Sequence, residues 1–165
     1  MRSLIITALL VLSFSVFDAL IHGGIAASMQ ASGVYIQTIS DIYQLGFALA
    51  MAGILGFAYF GCGWHREVLA TLVLLFGLLE DMLYYLLMPL INPLISLLTD
   101  GAMYHTSGGG LLPPHVAGWI GWVSRTITGE TVYVPLPLWL IINTCAIAFA
   151  IFLLQLPRHK FSHRS

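Results

Sequence analysis

The stretch GLLEDMLYYLL, residues 77–87, places Glu80 and Asp81 side by side inside an otherwise apolar run. An ionised carboxylate at the centre of a bilayer costs roughly 2.5–3.5 kcal/mol even on lenient insertion scales. Two adjacent ones also repel each other unless a proton or a cation stands between them. What allows this pair decides how the rest of the chain is read.

Of the 165 residues, 59% are hydrophobic and only 8% are charged. The mean hydropathy is +0.92. A soluble domain carries about 25% charged residues. This chain has too few to cover a water-facing surface, so an all-α integral membrane protein is expected. The formal net charge of −1 offers no basic field for nucleic acid. Cys62 and Cys145 are too few for a disulfide framework or a CxxC metal knuckle, and are expected to be small buried apolar residues.

A bilayer core of about 30 Å needs roughly 20 apolar residues per helix. Four segments qualify: about 3–27, 39–61, 67–90 and 134–156. The first has the Arg2 and apolar core of a signal peptide, but its apolar run continues past Asp18 and is long enough to span. The third is expected to end or kink at Pro89 and Pro93. None of the segments alternates as barrel strands do. Gly46, Gly53 and Gly56 suit close helix packing in the second.

Arg2, His65, Arg66, Arg158, Lys160 and Arg164 fall on one side if the chain crosses four times. The excess of basic residues makes that side the cytoplasm, with both termini inside. Residues 1–157 then form one transmembrane domain in the cell membrane, and 158–165 a basic cytoplasmic tail. His159 and His163 in that tail are four apart, and nothing else there supports a metal site.

The long outer link between helices three and four carries Gly108, Gly109 and Gly110, then Pro113 and Pro114, then Trp119 and Trp122 three apart. Tryptophan favours the membrane–water boundary. A short interfacial or re-entrant helix over about 115–124 is expected.

Helical spacing supplies partners for the carboxylates. Tyr84 is four after Glu80 and Tyr85 four after Asp81, so both can donate hydrogen bonds to them. Asp18 and His22 are likewise four apart on the first helix, a spacing that suits two ligands of one metal. Asp41 reads as an acid near the start of the second helix. The topology drawn from the basic residues alone puts Asp18, His22, Gln44, Glu80 and Asp81 at one depth, in the outer half of the bilayer. His105 and His115 lie in the link just above.

This cluster is the main functional signal. Oxygen and nitrogen donors of this kind suit a divalent metal such as zinc, iron or manganese. Asp18, His22, Glu80, Asp81, His105 and His115 are the candidate ligands, and Glu80, Asp81 and Tyr84 the candidate catalytic groups. The first expectation is a metal-dependent membrane enzyme acting on a lipid or apolar substrate, with hydrolysis preferred because no redox cofactor motif is visible. No HExxH motif is present. Two alternatives stand beside it: an accessory subunit of a larger membrane complex, and a small oligomeric proton-coupled transporter. The expected surroundings are the lipid bilayer, with a homo-oligomer or other membrane subunits as partners.

Overall fold

The computed structural model describes residues 1–34, 36–104 and 112–156. His105, the glycines Gly108 to Gly110 and the tail from Arg158 lie outside the described residues. Four helical stretches are long and apolar enough to cross a membrane: Arg2–Ser32, Gln37–Gly61, Leu79–Leu98 and Leu136–Gln155. Their outward faces are apolar as well: Leu49, Phe60, Leu90 and Leu97 are all more than 60% exposed. Apolar patches of this kind on a helical bundle belong against lipid. The chain has the architecture of a multi-pass membrane protein.

We name the helices α1 (Arg2–Ser32), α2 (Gln37–Gly56), α3 (His65–Phe76), α4 (Leu79–Leu98), α5 (Gly118–Thr128) and α6 (Leu136–Gln155). A π-helical turn, Phe57–Gly61, continues α2. Two two-residue strands, β1 (His115–Val116) and β2 (Val134–Pro135), pair antiparallel with Val116 opposite Val134. They are a small exception to the all-helical expectation and clamp the link to the start of α6.

The third expected span, 67–90, is corrected. The helix breaks at Gly77 and Leu78, and its second half runs on through Pro89 and Pro93 to Leu98. The cause is packing. A Cβ on Gly77 would collide with Ala146 of α6 and come within 2.9 Å of the Val73 carbonyl. Leu78 takes the left-handed conformation, φ 63°, and is completely buried. Its carbonyl accepts Trp139 Nε1 at 3.1 Å and Asn143 Nδ2 at 3.5 Å. Irregular backbone at membrane depth is tolerated where the protein satisfies it in this way.

Side-chain contacts fix how the helices run. Thr7 donates to the Glu67 carbonyl, and Val11 packs with Ala70 and Leu74. Further along, Ala19 and Ala27 pack with Tyr84, Met88 and Ile95. The broken pair α3–α4 therefore runs parallel to α1 along its length. α6 returns beside α3, with Arg66 donating to the Leu154 and Leu156 carbonyls. α2 returns beside α1, with Phe47 on Phe14 and Phe17.

Two smaller expectations are also corrected. A Cβ on Gly46, Gly53 or Gly56 would meet open space, so these glycines do not mark a close helix contact. Cys62 and Cys145 are exposed rather than buried.

Candidate functional site

The break in the third span determines where the carboxylates stand. Glu80 and Asp81 occupy the first turn of α4. That turn has backbone N–H groups without helical partners and the positive end of the helix dipole, which favours carboxylates. A helix that begins inside the bundle thus offsets part of the cost of burying them.

Asp18, His22, Gln44, Glu80, Asp81 and Tyr84 line one cavity of about 490 Å³. His115 does not join them. It sits exposed on β1, its ring 5.5 Å from that of Tyr133, while its neighbour Val116 is 3% exposed. Successive strand residues point to opposite faces, so turning Val116 inward turns His115 out.

Within the cavity, Asp18 accepts a hydrogen bond from Tyr43 Oη at 2.7 Å. Its carboxyl lies in the same cavity as that of Glu80. His22, one turn beyond Asp18, stacks flat on Tyr43 with ring centres 5.4 Å apart and lies 5.8 Å from Tyr84. Glu80 is 2% exposed. The Trp119 indole N–H reaches its carboxyl, but Oε1 has no partner.

Asp81 Oδ2 and Tyr84 Oη are also buried without hydrogen-bond partners. The expected tyrosine–carboxylate bonds are therefore not the ones formed. Tyr85 bonds Tyr104 instead. Outside the spans, burial pushes the Tyr104 phenol above its ordinary value, and its bond with Tyr85 pulls it back.

The roof comes from the link. α5 brings Gly118, Trp119, Trp122 and Arg125 to the cavity. Gly118 has φ +46° and lies so close to Asp81 that a Cβ would overlap its carboxylate. Arg125 forms an ion pair with Asp41 at the start of α2, where Gln37 also donates to Asp41 at 3.0 Å. Sequence reasoning missed this pair, because its members are 84 residues apart in the chain. It also missed Tyr43 and Trp119 as neighbours of the carboxylates, because only tertiary packing brings them there.

Among the described residues, no group of three or more His, Cys, Asp or Glu is arranged to hold a metal ion. Among the described residues, the cavity brings together buried oxygens of Glu80 and Asp81 that lack hydrogen-bond partners, beside aromatic rings. Arg125, which also lines it, is engaged by Asp41. The sequence matches no protein-family model, and comparison with curated proteins and with solved structures finds no match.

Proposed function

We propose that this chain binds a small cationic molecule inside its helical bundle, with Asp18, Glu80 and Asp81 recognising the charge. The observation that carries this reading is Glu80 Oε1, an unpartnered acceptor on a side chain only 2% exposed, lining a cavity. A buried charged acceptor left unmet costs about 1–3 kcal/mol or more, and a donor supplied by a ligand removes that cost. The cavity's 490 Å³ falls within the roughly 300–1,000 Å³ of small-molecule sites. Trp119, Tyr84 and Tyr43 offer ring faces to the same cation.

In this reading both termini are cytoplasmic, the cavity lies in the outer half of the bilayer, and α5 dips back into the bundle as its lid. A ligand that brings its own N–H donors suits the site better than a metal, since catalytic zinc typically takes three protein ligands.

Thermal unfolding of the purified protein in lipid nanodiscs tests the reading, with butylamine, tyramine, butanol, zinc and manganese each added alone. The amines are expected to raise the midpoint and butanol to leave it unchanged, with the amine effect lost in Glu80→Gln. Equal effects of amine and alcohol would overturn it. Stabilisation by zinc or manganese but not by amines, abolished by Glu80→Gln, would replace it with the metal-dependent enzyme.

A further inference from the structure

Tyr84 lines the same cavity as the carboxylates. Glu80, Tyr84 and Met88 follow one another at intervals of four along the buried face of α4. Neighbouring side chains fix the Tyr84 ring. Its centre lies 5.1 Å from that of Tyr85 and 5.9 Å from that of Tyr104, both edge-on, and it packs with Ala19 and Met88. The residue is 5% exposed, and its hydroxyl is buried without a hydrogen-bond partner among the described residues. Neither Glu80 nor Asp81 takes its proton. A phenol both donates and accepts, an ammonium only donates, and an ionised carboxylate only accepts. A bare alkylammonium between Glu80 and Asp81 therefore satisfies their oxygens and leaves the Tyr84 proton without an acceptor.

Building on the cation reading above, we infer that the ligand is an amine that also carries an oxygen acceptor, an amino alcohol or amino ether, and that Tyr84 selects for that oxygen. The ammonium lies at Glu80 Oε1 and Asp81 Oδ2, and the Tyr84 hydroxyl donates to the ligand's oxygen. The three unpartnered atoms belong to residues of one cavity, within reach of a single small molecule. Glu80 and Tyr84 are neighbours one helical turn apart on the same face, so a short carbon chain joins the ligand's two polar ends. A site built to hydrogen-bond a group discriminates against the analogue that lacks it, because its own buried polar atom is then left unmet. The carboxylates recognise the charge, and Tyr84 distinguishes among amines.

The test is calorimetric titration of the full chain in phosphatidylcholine nanodiscs, with empty nanodiscs as the blank. The probes are 3-aminopropanol, 3-methoxypropylamine and butylamine. The first two carry an oxygen acceptor where butylamine has its terminal methyl group. Wild type is expected to bind both oxygen-bearing amines about fivefold more tightly than butylamine. In Tyr84→Phe that ratio is expected to fall to about one. A variant that merely loosened the bundle would weaken all three amines together and keep the ratio. Removing a hydroxyl that has no partner should also leave the thermal midpoint of the ligand-free protein no lower than that of wild type. A markedly lower midpoint, or failure to fold, would show that the hydroxyl is already bonded and would overturn the inference. A ratio near one in wild type, a preference for the alcohol but not the ether, or a preference kept in Tyr84→Phe would overturn it and leave the cation site standing. Absence of binding by all three amines would remove the cation reading itself.

Discussion

Glu80 shows how one residue's surroundings define a site. It lies in one cavity with Asp18, meets the Trp119 indole with part of its carboxyl and leaves Oε1 unmet. Two neighbours can be tested singly. Tyr43→Phe removes the donor to Asp18 and is expected to destabilise the protein by about 1.5–3 kcal/mol, the usual range for a hydrogen bond to a charged group. Thermal unfolding in detergent reads this directly. Gly118→Ala forces a side chain into the left-handed region and against Asp81, so a loss of at least about 1–2 kcal/mol is expected by the same measurement. At this scale the sequence was informative about chemistry and poor about partners. Depth along the helices was enough to group Asp18, His22, Glu80 and Asp81. Helical spacing assigned Tyr84 and Tyr85 to the carboxylates, whereas the bond to Asp18 comes from Tyr43 on another helix. His115 was misplaced because a two-residue strand, invisible to hydropathy, turns it outward.

The broken helix is the element that makes the site. Without the break, Glu80 and Asp81 would sit in mid-helix with no free N–H groups nearby. The break depends on α6, whose Ala146 crowds Gly77 and whose Trp139 and Asn143 meet the Leu78 carbonyl. Trp139→Phe keeps most of the ring's packing and removes one of those donors. A loss of about 1 kcal/mol is expected in unfolding measurements. Gly77→Val should cost more, about 1–3 kcal/mol, because the added atoms overpack a buried crossing. None of this was legible locally. LVLLFGLLEDMLYYLL reads as one apolar run, and glycine is common in membrane helices. Pro89 and Pro93 are the louder signals, yet the helix passes through both.

Across the whole molecule, hydropathy located the first, second and fourth spans, because length and apolar composition are what a bilayer selects, while the third, expected over 67–90, falls at Leu79–Leu98. The short helix in the long link was also legible, from its paired tryptophans, though it runs Gly118–Thr128 rather than 115–124. The proposed orientation has its own test. Cys62 is exposed beside the start of α3, and Asp100 is exposed beyond α4. In a Cys145→Ala background, an impermeant thiol reagent outside sealed cells should label Asp100→Cys and leave Cys62 unlabelled until the membrane is opened. Labelling of Cys62 from outside would reverse the topology.

The central claim is that Glu80 faces a cation. Calorimetric titration of the nanodisc-embedded protein with butylamine and with butanol, for wild type and Glu80→Gln, tests it most directly. Saturable one-to-one binding of butylamine only, weakened at least about tenfold in Glu80→Gln, is the expected result. Butylamine heats indistinguishable between wild type and Glu80→Gln would contradict it.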